Sequence, residues 1–182
     1  MPTHQDMVEL YGAENVVTVP RSVVDGLSLG PADAETLAAV GLPRYGSPYF
    51  TTEVVGGPEF LRVIDVTRKD GRPHREVIIG GPPGDAGMRF SLSAYEGFVT
   101  LAELSAVEPR GEVVNNNLAE FVEFLYLIER HRVRVAGDPG IREKSLDELR
   151  NTLVGIDPFS FELAEDWWSI ALHQLGGGDI AP

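Results

Sequence analysis

Residues 113–132 read VVNNNLAEFVEFLYLIERHR, three asparagines directly before an apolar and aromatic run without glycine or proline. Asn117 followed by Glu120 has the spacing of a helix N-cap and its reciprocal partner. The amide oxygen can accept from an orphan N–H of the first turn while the carboxylate reaches back. Leu118, Phe121, Val122, Leu125 and Ile128 then recur at helical spacing, with Phe124 and Leu127 widening the stripe. Glu129, Arg130, Arg132 and Arg134 close the run, and cations suit the negative end of a helix dipole. The stretch predicts a capped, largely buried helix from Leu118 to about Val135. The asparagines read most simply as structural: Asn117 caps, and Asn115 or Asn116 satisfies backbone groups where a strand turns into the helix.

Upstream of this helix, short runs read as strands: Tyr49 to Val55, Phe60 to Thr67, His74 to Ile79, Met88 to Ala94 and Phe98 to Leu104. Asp70-Gly71 and Glu96-Gly97 punctuate them as hairpin turns do. In Met88 to Ser93 apolar residues alternate with Arg89, Ser91 and Ser93, the period of a sheet with one wet face. Earlier still, Gln5 to Tyr11 reads as a short helix, and PADAETLAAV, opened by Pro31 and stopped by Gly41, as another. Two more helices follow the central one. Ser145 and Glu148 have capping-box spacing for the first, and EDWWSIALHQL after Asp157-Pro158 forms the last. Strands first and helices afterwards predict an α+β fold, an antiparallel meander with helices packed on one face.

At 182 residues the chain fits one domain over residues 1–182, with 1–30 left unassigned and 176–182 expected to be a flexible tail. The absence of cysteine excludes disulfides, thiol catalysis and thiolate zinc sites. No membrane span or leader is evident, so the expected compartment is the cytoplasm. The formal charge of −13 argues against nucleic acid as a partner and would attract a basic one. On composition alone, the plainer reading is that acidity keeps the chain in solution.

Motifs for chemistry are sparse. His4, His74, His131 and His173 make no ligand spacing, and His131, beside three arginines, reads as a surface residue. His173, soon after the tryptophan pair, reads as half-buried. GGPPGDAG lacks the ending of a phosphate loop and reads as a connection between strands. No serine sits in a nucleophile elbow. Trp167 and Trp168 point about 100° apart on a helix; core or semi-core placement is favoured for both, with an interface rim as the alternative for one.

Taken in order, GLPR, FSLSAYEGFVTL, VNNNLAEFVEFLYLIERHR and LVGIDP leading to EDWWSIAL resemble the SUKH superfamily of bacterial immunity proteins. Within it, they are most similar to the fourth SUKH group, the actinobacterial type. The family pattern has a strand ending in an Asn-rich turn, an F-x-x-F-L helix, and a D-P element before a Trp-containing last helix. Those fall here on Val114 to Asn117, on Phe121, Phe124 and Leu125, on Asp157 and Pro158, and on Trp167 and Trp168, and the likeness covers about residues 35–175. The resemblance implies binding without catalysis, cofactor or metal. The partner would be a cognate toxin, often a nuclease or nucleic-acid deaminase, whose basic surface an acidic antidote occludes. Candidate partner-binding residues are Asp70, Glu76, Asp85 and Glu96, in or beside the turns, although each also fits ordinary solvated charge. A regulatory interaction scaffold on the same fold, and a small enzyme or ligand-binding protein with a carboxylate-lined cleft under GGPPGDAG, are the alternatives.

Overall fold

The computed structural model describes residues 1–46, 48–67, 71, 73–104 and 110–177. The chain opens with α1 (His4–Tyr11), whose Thr3 and Asp6 form a reciprocal capping box. It continues through β1 (Val16–Val17), the single turn α2 (Arg21–Val24) and α3 (Pro31–Glu35), which passes into a wider π-type turn over Thr36–Val40. That turn stops at Gly41, at φ +89°, where a Cβ would meet the Val17 carbonyl oxygen at 2.9 Å, so only glycine fits. Two short pairs follow: β2 (Leu42–Pro43) against β1, and β3 (Tyr45–Gly46) against β4 (Phe50–Thr51).

The main sheet is an antiparallel meander in sequential order: β5 (Val63–Thr67), β6 (Pro73–Gly80), β7 (Met88–Ser93), β8 (Val99–Glu103) and β9 (Arg110–Asn115). The fold is α+β, as the sequence predicts, but the meander begins one strand later. The segment 49–55 pairs only over Phe50–Thr51 and reaches the sheet through one bridge, Thr51 to Gly81. The fifth strand is instead β9. Its RGEVVN sequence has no alternation, because a bulge leaves Val114 without a cross-strand partner between Val113 and Asn115.

Three helices complete the chain: α4 (Leu118–Gly137), α5 (Arg142–Ile156) and α6 (Trp167–Leu175). The α4 stripe is the centre of the molecule. Phe121 is fully buried, with ring centroids 5.5 Å from Phe50, 5.2 Å from Phe90 and 5.9 Å from Trp168. Val77, Ile79, Phe90, Leu92, Val99, Leu101 and Val114 line the sheet face that meets this core. Residues before Pro31 join the same core through Met7, Val16, Val19, Val24 and Leu27. The N-terminus of α4 is capped twice. The Asn117 side chain accepts from the Glu120 N–H at 2.9 Å, and the buried Asp33 carboxylate accepts from the Leu118 N–H at 3.2 Å.

The opposite sheet face is drier than the alternation in β7 predicts. Arg89, Ser91 and Ser93 are all buried. The Arg89 guanidinium explains much of this, since it donates to the carbonyls of Val55, Gly56, Gly57 and Pro58 and holds that loop against β7. Five donors in a fixed fork suit a cluster of carbonyls better than any other side chain.

Candidate interaction surface

The asparagine triplet is the origin of the most organised polar feature in the chain. Asp157, 1% exposed, closes α5 and aims its carboxylate at the end of β9. Its Oδ2 accepts from Asn115 Nδ2 at 3.2 Å, from the Asn116 N–H at 3.3 Å and from the Ser160 hydroxyl at 2.7 Å; Oδ1 accepts from Asn116 Nδ2 at 2.8 Å. Asn115 Oδ1 in turn accepts from Trp168 Nε1 at 3.0 Å. The Val114 carbonyl, displaced by the bulge, lies 2.6 Å from the Ser160 hydroxyl, whose single proton it shares with Asp157, and 3.2 Å from the same indole N–H, which it shares with Asn115. The three asparagines thus divide the work between them, with Asn115 and Asn116 clamping Asp157 while Asn117 caps α4.

Farther along, the Trp167 N–H donates to Glu112 Oε1 at 2.7 Å, so residues 157–167 run back beside β9 from Asn116 to Glu112. They cover the edge strand of the sheet, where unpaired backbone groups would otherwise recruit another chain. Carboxyls in this neighbourhood lie above the ordinary range. Burial raises Glu112, with Asp166 adding to the effect, and burial followed by the facing Asp157 raises Glu120. Burial likewise raises Asp33.

The segment beside β9 forms a ledge whose outer side is exposed at Phe159, Glu162, Leu163 and Glu165. Phe161 points inward and stacks on Phe124 at 5.9 Å. Trp168 is fully buried, and Trp167 is half-buried against Phe90 with its Nε1 unpartnered. Sequence patterning does not single out the ledge, although a signal for it exists. No lysine or arginine occurs after Arg150, whereas six of the fifteen cations fall between residues 130 and 150.

The three described turn carboxylates are dispersed. Glu96 is exposed in the turn between β7 and β8, and because Val99 pairs with Asn115 this turn lies at the asparagine end of the sheet. Glu76, paired with Ser93 in register, lies toward the same end but is half-buried and bonded to His74. Asp85 lies at the opposite end, where its Oδ1 accepts from the N–H groups of Gly87 and Met88 at 2.7 and 2.9 Å and shapes the 81–87 loop. Asp70 lies outside the described residues.

The histidines depart from their sequence reading. His131 is buried, not superficial: its Nδ1 meets the Ser145 hydroxyl at 2.9 Å between α4 and α5. Burial, then the Arg134 charge, lowers its affinity for a proton. Ser145 is accordingly inside α5, which starts at Arg142, and is not its cap. His173 is exposed. Among the described residues, no group of three His, Asp or Glu side chains is placed to hold a metal ion, and no helix is long and apolar enough to cross a membrane.

Fold and surface together define an α+β protein that braces an acidic, partly apolar ledge against its last strand. The model of the SUKH-4 immunity protein family matches residues 2–174, and the chain belongs to that family. The match includes residues 2–30, which sequence patterning leaves unassigned. Membership points to immunity against a toxin. Searches of curated proteins and of solved structures return no match.

Proposed function

We propose that this chain is the antidote to a toxin that acts on nucleic acid, and that it works by covering the toxin's cationic surface. A nuclease or nucleic-acid deaminase must present positive charge to phosphates. A partner of charge −13 competes for that surface and is drawn to it by long-range attraction. The observation that carries the reading is this charge in a member of an immunity family. In this account the antidote makes and breaks no bond, needs no cofactor and meets its toxin in the cytoplasm. Glu96 and Glu76 at the asparagine end, Asp85 at the other end and Asp70 contribute to the steering field.

The test is co-expression with the toxin domain encoded beside this chain's gene, with growth and complex formation as readouts. The expected result is protection, a stable complex, and an association rate that falls steeply with salt because exposed charges are screened beyond about 10 Å at 0.1 M. Unprotected cells and no complex would overturn the proposal.

A further inference from the structure

We propose that the toxin seats on the ledge beside β9, with Phe159 and Leu163 as its apolar anchors; this placement rests on the immunity reading above. Phe159 is 48% exposed and Leu163 56% exposed, four residues apart on one short stretch. Exposed large apolar residues scattered singly need no explanation, but two within five residues of one segment, flanked by charge, point to a contact surface. The other exposed apolar groups differ. Tyr45 is tied through its hydroxyl to Glu53, and Met1, Val23, Val55, Tyr95 and Val133 stand singly, far from one another in sequence.

The backbone behind the anchors is held firmly. Asp157 and Ser160 are locked to β9 and to Asn115 and Asn116, and Phe161 is stacked into the core. A contact surface fixed before binding avoids the ordering cost that a loose loop would add. Aromatic and aliphatic anchors in such positions dominate interface energetics, while the charged rim sets the encounter rate.

Charge selects the occupant. Glu162 and Glu165 flank the anchors on the exposed side, Asp166 follows, and no cation lies anywhere from residue 151 onward. At the foot of the ledge a cleft of about 490 Å³ is lined by Arg150, Phe161, Glu162, Leu163 and His173 among others, with room for a protruding partner side chain. The occupant that fits is a protein surface that is cationic around an apolar recess, the kind of surface a nucleic-acid-directed toxin offers. The exposed Glu96 turn lies toward the end of the sheet at which the ledge begins, so steering charge is present at that end.

The experiment uses the intact chain and the toxin domain encoded beside it, with binding kinetics and growth protection as readouts. Two double variants are made on the ledge, Phe159→Ala with Leu163→Ala and Glu162→Lys with Glu165→Lys. A third, Glu9→Lys with Glu14→Lys, makes the same charge change on the N-terminal segment. The apolar pair should accelerate dissociation by about tenfold or more. The ledge charge reversal should slow association by a similar factor, and the distant reversal by less than about threefold. Unfolding in urea should be unchanged for all three, since every altered side chain is exposed. Wild-type binding with both ledge variants binding as tightly would overturn the placement and leave the immunity reading intact. Failure of the wild-type chain itself to bind or protect would instead remove the reading on which the placement rests.

Discussion

Replacing Asp157 separates what its carboxylate contributes through geometry from what it contributes through charge. Four donors converge on it, and hydrogen bonds to charged groups are worth about 1.5–3 kcal/mol each. The sum overstates the loss in Asp157→Ala, because Asn116 is exposed and water can take over its two bonds. The Asn115 amide and the Ser160 hydroxyl are buried, and each keeps one further partner: Asn115 Nδ2 stays within 3.3 Å of Ser160 Oγ, and Ser160 donates to the Val114 carbonyl. Counting only these two, and subtracting the relief of repulsion at Glu120, gives about 3–4 kcal/mol. At about 2–4 °C per kcal/mol for a chain of this size, the melting temperature should fall by roughly 6–16 °C. Asp157→Asn preserves volume and one acceptor oxygen. With that oxygen in the Oδ2 position, three donors remain served and only the exposed Asn116 side chain meets an NH₂ group, so the loss should be about 1–2 kcal/mol. Urea unfolding followed by tryptophan fluorescence measures both, since Trp168 Nε1 is part of the network. A loss below about 1 kcal/mol for Asp157→Ala would refute the clamp. Equal losses for Ala and Asn would mean that the negative charge, not the acceptor geometry, is what matters.

Two further outcomes follow from the core and from the raised carboxyls. Phe121→Ala removes a fully buried ring that touches Phe50, Phe90 and Trp168, and should cost about 3–5 kcal/mol by thermal or urea unfolding; a negligible change would contradict the packing. Glu120 is held above its usual range by burial and by Asp157, so its protonated form is favoured in the folded state. Stability from that group is present below the unfolded-state value near 4.5 and is lost as pH rises through the higher folded-state value. Glu120→Gln, neutral throughout, should therefore gain on the wild-type chain as pH rises from about 4.5 through the raised folded-state value, whereas a gap between the two that does not vary with pH would refute it.

The parts of this fold that are legible in the sequence are those written as periodicity. The α4 stripe, the β7 strand and the Pro31 and Gly41 boundaries are local patterns that the structure keeps, although the β7 face read as wet is buried under Arg89 and the 55–58 loop. The failures arise where a distant partner decides. The 49–55 run has strand composition, but Phe50 turns into the core and only two residues pair. Arg110–Asn115 lacks alternation because its bulge redirects Val114, and the resemblance rather than the periodicity marks a strand before the asparagines. Ser145 and Glu148 have the spacing of a cap, yet the helix starts earlier, at Arg142, and the serine hydroxyl meets His131, fourteen residues away, in the interior. The same contact buries a histidine whose charged neighbours suggest the surface. At the asparagine triplet the cap is legible from the three-residue interval to Glu120. The clamp is not, because Asp157 lies about forty residues downstream.

A buried carboxylate is a costly way to fasten a loop, and well-packed apolar side chains of similar volume often hold as firmly. What the carboxylate adds is direction. Apolar contacts tolerate sliding, whereas donors from Asn115, Asn116 and Ser160 converging on two oxygens fix both the position and the rotation of residues 157–160 against β9. The bulge at Val114 has the same effect, since the carbonyl it frees is matched by Ser160 and Trp168 and by no strand register. A segment serving only to cover a sheet edge would not need to be fixed so narrowly, but one that presents Phe159 and Leu163 to a partner would. Stability and recognition are therefore coupled in one direction only. Loosening Asp157 displaces the anchors and should weaken protection along with folding, while removing the anchors leaves the clamp, the edge cover and the core as they were.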